Sequence, residues 1–154
     1  MKEKKLLVNA IKNGTVIDHI TAGSALKIIR ILNLASHEKV VTVGLNLPSK
    51  SMGRKDLIKV AERELSPDEV SSVAILAPQA SINIVKNYEI VKKFKIKLPE
   101  KIESVVVCPN PKCITNHEPM ASVFFILPNG KHIKLRCKYC EKVFGHDDIR
   151  EYRV

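Results

Sequence analysis

Four cysteines, in two close pairs near the C-terminus, are the whole thiol content of this chain and carry its clearest chemistry. Four residues lie between Cys108 and Cys113, two between Cys137 and Cys140, and 23 separate the pairs. Four thiolates can close a tetrahedral shell around zinc and leave no position for substrate or water, so the spacing favours a structural clamp over a catalytic centre. A disulfide framework is the main alternative and requires an oxidising compartment; a redox pair and an iron site are further readings. The N-terminal run MKEKKLLVNAIKNG is too short in apolar residues for a signal peptide. No stretch approaches the roughly 18 apolar residues of a membrane span. The expectation is a cytoplasmic, reduced chain that enters no membrane. His117, four residues after Cys113, falls outside a shell that four cysteines already fill.

The elements that must position these groups divide by charge and by cysteine. The chain has 154 residues, 45% of them hydrophobic, and a net charge of +10. Residues 1–97 hold 17 basic and 9 acidic side chains, whereas residues 98–154 hold 9 and 7. Four thiolates around one zinc add about −2 to the second part, which leaves it near neutral. The positive field therefore belongs to the cysteine-free part, which must fold on packing alone. A metal module of about 50 residues buries too little apolar surface to fold comfortably without its ion.

Along the first part, Thr15–Ile20 after Asn13-Gly14 reads as a strand, and 22–34 carries apolar residues at helical spacing. Val41, Val43, Leu45 and Leu47 alternate with polar residues or glycine, the period of a strand with one buried face, and Pro48-Ser49 is expected to end it. Leu57–Ala61 is a further strand. Ser66-Pro67-Asp68-Glu69 is a helix start with a cap, a proline at the first helical position and a glutamate placed to close a capping box. That helix should reach Leu76, before Pro78. Ser81–Val85 and Tyr88–Ile96 follow as strands, the second with Lys93, Lys95 and Lys97 on one face and Phe94 and Ile96 on the other. This order predicts an α+β fold: a ferredoxin-like sandwich over residues 1–98, its antiparallel sheet covered by two helices on one face. Residues 99–154 read as a small all-β zinc ribbon, with Ser104–Val107 leading to the first cysteine pair. Ser122–Leu127 and Lys131–Arg136 form a hairpin across Pro128-Asn129-Gly130.

Seven stretches, in order along the whole chain, resemble one family, the regulatory chain of aspartate carbamoyltransferase. They are GTVIDHI at 14–20, GLNLPS at 44–49, MGRKDLIK at 52–59, LAPQA at 76–80, NYEIV at 87–91, VCPNPKCITNHEP at 107–119 and LRCKYCEKVF at 135–144. The resemblance implies a non-catalytic subunit of pyrimidine biosynthesis, with an N-terminal domain that binds CTP, UTP or ATP and a C-terminal zinc domain that docks on the catalytic chain. It implies regulatory homodimers linking two catalytic trimers in a dodecamer of six catalytic and six regulatory chains. By matching position, Asp18 and Lys59 would meet the ribose, His19 and Lys93 the phosphates, and backbone groups of Ile11 and Tyr88 the base. Val8, Asn9 and Leu57 complete the implied effector site, and Asn9 stands where well-known enteric members have a glutamate beside the base.

Taken singly, each residue has a plainer role. Lys93 belongs to a lysine-rich strand face, and Leu57, Lys59 and Tyr88 fit ordinary strand packing, while Val8 and Ile11 read as core or interface positions. Asp18 and His19 point to opposite faces of a regular strand, so one ligand can meet both only at an edge, a bulge or a strand end. Two rival functions are weaker. A nucleic-acid-binding zinc ribbon should concentrate its positive charge in the ribbon, which is near neutral here, and aromatic content is only 5%. An enzyme would need a site, yet the zinc shell is closed and no Ser/His/Asp or Cys/His arrangement stands out.

Overall fold

The structure is a computed structural model that describes residues 9–129, 132–145 and 148. Two antiparallel sheets succeed one another along the chain. The first contains β1 (Gly14–Thr21), β2 (Val41–Ser49), β3 (Gly53–Ala61), β4 (Ser81–Lys86) and β5 (Glu89–Lys95) in the order β2-β3-β1-β4-β5. With α1 (Ala25–Ile31) after β1 and α2 (Pro67–Leu76) after β3, this is the ferredoxin-like arrangement extended by an outer strand. The second sheet is a meander of β6 (Lys101–Glu103), β7 (Val123–Asn129), β8 (His132–Cys137) and β9 (Val143–Gly145). No helix among the described residues is long and apolar enough to cross a membrane.

Alternation divides the first sheet into two faces. Ile17, Ile58 and Ile82 lie opposite one another on three adjacent strands and are fully buried, in one apolar cluster with Ala25 and Ile28 of α1 and with Val73 and Ile75–Leu76 of α2. The other face carries Val16, Asp18, Lys59, Ser81, Asn83, Lys93 and Lys95. The same apolar cluster continues through Ile96 and Ile102 to Val106, Phe124, Leu135 and the cysteines, so the two sheets share a core. The capping box on α2 forms as its sequence suggests: Ser66 Oγ accepts the Glu69 N–H at 3.2 Å, and Glu69 Oε1 accepts the Ser66 N–H at 3.0 Å.

Several boundaries differ from expectation for identifiable reasons. Helix α1 begins at Ala25 rather than residue 22, because the N–H groups of Gly23 and Ala25 are held by the buried Asp56 carboxylate at 2.9 and 3.2 Å. Asn33, at φ 53°, then ends it before a 3-10 turn over Leu34–Ser36. Pro48 does not end β2, because β2 is an edge strand where a missing N–H is tolerated. Asn87 and Tyr88 form a left-handed turn, so β5 starts at Glu89. Before the first cysteine pair the strand lies at Lys101–Glu103, and Ser104, at φ 58°, turns the chain out of it. Gly130 and Lys131 of the expected hairpin lie outside the described residues, as does Val8.

Candidate functional site

Two bulges flank the middle of β3 and shape the open face of the first sheet. On β1, Ile17 pairs with Ile58 and Ile20 with Asp56, so Asp18 and His19 together face Leu57. On β2, Leu45 and Asn46 likewise span the single residue Asp56. His19 and Asn46 take up left-handed conformations, at φ 55° and 58°. Asp56 is fully buried, and its Oδ1 accepts the Asn46 N–H at 3.0 Å while its Oδ2 accepts from Gly23 and Ala25. One carboxylate therefore holds both the β2 bulge and the exit from β1.

The β1 bulge brings Asp18 and His19 onto the same face. His19 Nδ1 lies 3.2 Å from Ser81 Oγ and 3.9 Å from Asp18 Oδ2, and Ser81 is the direct cross-strand partner of Asp18. In the next row, Lys59, Val16, Asn83 and Lys93 sit opposite one another on β3, β1, β4 and β5, which puts all four side chains on this face. Lys95 pairs with Ser81 and joins them. A cleft of about 610 Å³ opens here, lined by His19, Ser51, Ser81, Lys93 and Lys95 among others. Asp18 and Lys59 border the sheet surface beside it.

The N-terminal segment closes the far end of this face. Asn13 O accepts the Glu62 N–H at 2.9 Å, Lys12 O accepts the Tyr88 N–H at 2.9 Å, and Asn13 Oδ1 accepts the Asn87 N–H at 3.1 Å. The Lys59 ammonium reaches across to the Asn9 carbonyl at 2.8 Å. Asn9, Ile11 and Tyr88 are thereby gathered at one end, with Lys59 and Lys93 in the row beside them and Asp18 and His19 beyond. Leu57 is 9% exposed, beneath this surface rather than on it.

Electrostatics suit a polar anionic ligand. Burial alone would raise the Asp18 pKa, but the Lys55 ammonium at 2.9 Å and the His19 backbone N–H at 2.7 Å outweigh it and hold the carboxyl below its ordinary 3.8. Both groups lie on Oδ1, which leaves Oδ2 to accept from a ligand hydroxyl. Burial lowers the Lys59 pKa, an effect partly offset by the Asp18 charge. Asn83 is the residue that pattern reading missed. It is 7% exposed, and its Oδ1 is the one buried side-chain oxygen or nitrogen without a hydrogen bond among the described residues. Its signal was present in the β4 run Ser81-Ile82-Asn83-Ile84-Val85, where two polar residues alternate with apolar ones on a central strand. Lys55 was also missed, because its pairing with Asp18 depends on the bulge.

The second site is the four-sulfur cluster. Cys108, Cys113, Cys137 and Cys140 bring their sulfurs within 4.8 Å of one another, at 3.8 Å for Cys108–Cys140 and 3.7 Å for Cys113–Cys137. A tetrahedron with metal–sulfur bonds of about 2.3 Å has edges of about 3.8 Å, so the four residues fit a tetrathiolate ion. They are free thiols, with no disulfide among them. Burial pushes Cys108 and Cys137 up, partly countered by backbone N–H groups at their sulfurs, from Asn110 for the first and from Cys140 and Tyr139 for the second. Burial acts in the same sense on Cys140, but the Lys142 N–H, the Asn110 side chain and the neighbouring thiols bring it down to about 7. A cation at the centre would deprotonate all four. His117 stands apart, with Nε2 2.8 Å from the Pro111 carbonyl.

Comparison with known proteins agrees with both halves. A family model described as the allosteric domain of the aspartate carbamoyltransferase regulatory chain matches residues 6–97. A second, described as the metal binding domain of that regulatory chain, matches residues 100–150. The chain is 50% identical over 147 residues to the aspartate carbamoyltransferase regulatory chain of Shigella dysenteriae, with 96% of each chain covered. It is 46% identical over 150 residues to that of Vibrio campbellii, covering 97% of this chain and 98% of the relative. A regulatory chain is the non-catalytic partner of a catalytic one, and the similarity runs through both sheets. This chain belongs to the family of aspartate carbamoyltransferase regulatory chains.

Proposed function

We propose that the chain binds nucleoside triphosphate effectors, CTP, ATP and UTP, on the open face of its first sheet and transmits their effect to the catalytic chain through a zinc-loaded second domain. The β1 bulge carries this reading, because in a regular strand Asp18 and His19 would face opposite ways, whereas here they share a face with Lys59, Asn83 and Lys93. Asp18 Oδ2 and Lys59 meet the ribose, and His19 and Lys93 meet the phosphates, with Lys95 close by. Asn83 supplies an amide to either. The Tyr88 N–H is engaged by Lys12, so of its backbone groups the carbonyl is the one that could meet a base, together with Ile11. A carbonyl accepts from an exocyclic amino group, which cytosine and adenine carry and uracil lacks. Asn9 flanks the base end, and Leu57 forms the floor.

The domains are residues 1–98 and 99–154, and zinc is the resident ion, held by Cys108, Cys113, Cys137 and Cys140. When bound, zinc cross-links the turns that carry the two cysteine pairs and stabilises the docking surface. The chains pair as homodimers that join two catalytic trimers into a dodecamer in the cytoplasm, with no nucleic acid and no membrane involved. A nucleotide shifts the enzyme between quaternary states only if it binds one more tightly. The core shared by the two sheets offers a packed route for that bias. Calorimetric titration of CTP and ATP into the zinc-loaded chain, with Lys93→Ala alongside, tests the reading. Saturable one-site binding that weakens in the variant is expected. Equal binding by both proteins would place the phosphates elsewhere.

A further inference from the structure

Beside the four-sulfur cluster stands one side-chain hydroxyl: Cys113 Sγ lies 3.2 Å from Thr115 Oγ1. Cys113 is 1% exposed and Thr115 3%, so this contact sits in a dry, low-dielectric pocket where an ionised sulfur gains most from a donor. Asn116, the next residue, ties down the first cysteine knuckle by donating to the Cys108 and Asn110 carbonyls at 3.0 and 2.8 Å.

We infer that Thr115 is a positioning residue for the metal centre, whose hydroxyl donates a hydrogen bond to the Cys113 thiolate and so helps to retain the ion. A metal-bound thiolate has no proton to give, so in the loaded chain the hydroxyl must be the donor and the sulfur the acceptor. Such a bond orients the sulfur and draws electron density from it. The hydroxyl, rather than the methyl, carries the effect. This inference rests on the metal reading above, and the test separates the two.

Thr115→Val keeps the shape and removes the donor, while Thr115→Ser keeps the donor and removes the methyl. Competition for Zn²⁺ against a colorimetric chelator is expected to show about a 10- to 100-fold loss of affinity in Thr115→Val, with most of it restored in Thr115→Ser. The full-length chain loaded with Co²⁺ supplies a readout that packing alone would not move. The sulfur-to-cobalt charge-transfer band should shift to lower energy in Thr115→Val and stay near the wild-type position in Thr115→Ser. Affinity within twofold of wild type in the valine variant, or equal impairment of both variants, overturns the inference while leaving the metal site intact. A wild-type chain that fails to take up either metal overturns both. If Thr115→Val does not fold, ¹¹³Cd-loaded wild-type protein decides. The buried hydroxyl proton should show a correlation to the metal through the sulfur, and its absence refutes the hydrogen bond.

Discussion

Replacing Asn83 with alanine should separate binding from folding. Asn83 sits on the central part of the open face between Val16 and Lys93, 7% exposed, with its Oδ1 unpaired. A buried polar atom without a partner costs roughly 1–3 kcal/mol, a penalty the free protein already carries. Truncation removes that penalty together with some packing, which usually amounts to about 1 kcal/mol. The two changes nearly cancel, so the zinc-loaded variant should unfold within about 1 kcal/mol of wild type, or slightly above it. For binding they do not cancel. Because the oxygen has already lost its water, a nucleotide hydroxyl that donates to it, or a phosphate that receives the amide turned over, gains about 1–3 kcal/mol, or about 5- to 150-fold in Kd. Denaturant titration of the free protein gives the first quantity, and calorimetry with CTP gives the second. A variant that loses more than about 2 kcal/mol of stability yet binds CTP within twofold of wild type would refute the reasoning, because Asn83 would then be a structural residue.

Other outcomes follow from particular contacts. Since the folded-state pKa of Asp18 is depressed below 3.8, its ion pair contributes stability above that value that is lost as pH falls through the folded pKa. The stability difference between wild type and Asp18→Asn should therefore be flat from neutral pH to about pH 5 and shrink only at more acid pH; shrinkage already at pH 6 would assign it to another group. Gly14→Ala should destabilise the chain by at least about 3 kcal/mol in thermal or denaturant melts, because at φ 140° a Cβ would lie 2.0 Å from the Val60 carbonyl oxygen; a change below about 1 kcal/mol would show that β1 and β3 can part there. Chelation of the metal should abolish binding to the catalytic chain while leaving the far-ultraviolet signature of the first sheet largely intact. Retained assembly after complete metal loss would contradict the docking role.

The parts of the fold governed by local chemistry were legible in the chain. The Ser66–Glu69 capping box and the two cysteine pairs each act over a few residues and appear where the sequence places them, whereas the alternation expected through Leu45 breaks at the β2 bulge, which leaves Leu45 exposed. The parts set by pairing between strands were not. The bulge that turns His19 beside Asp18 exists because Ile20, rather than His19, pairs with Asp56, a register no run of β1 residues reveals. Asp56 lies just before the strand expected at Leu57–Ala61, and only the fold shows three backbone N–H groups converging on it. Helix α1 is shorter than its apolar spacing suggests for the same reason, because Asp56 fixes the turn before it. For the proposed effector residues, the sequence resemblance supplied the list, and the sheet register shows how Asp18, Lys59 and Lys93 come to share one face from three strands. Asn83 showed only as one polar residue in the alternation of β4, and its unpaired oxygen exists only once the strands are packed.

The central claim is that nucleotide bound on the first sheet biases the catalytic assembly, and linkage offers its most direct test. The affinity of the assembled enzyme for CTP should be measured with and without a tight-binding analogue of the catalytic reaction's substrates. Couplings of this kind are about 1–3 kcal/mol, so the two dissociation constants should differ by about 5- to 150-fold, with the same factor recovered when the order of addition is reversed. Equal dissociation constants in both states would contradict the account, because a ligand indifferent to the state of the catalytic chains cannot regulate them through this subunit.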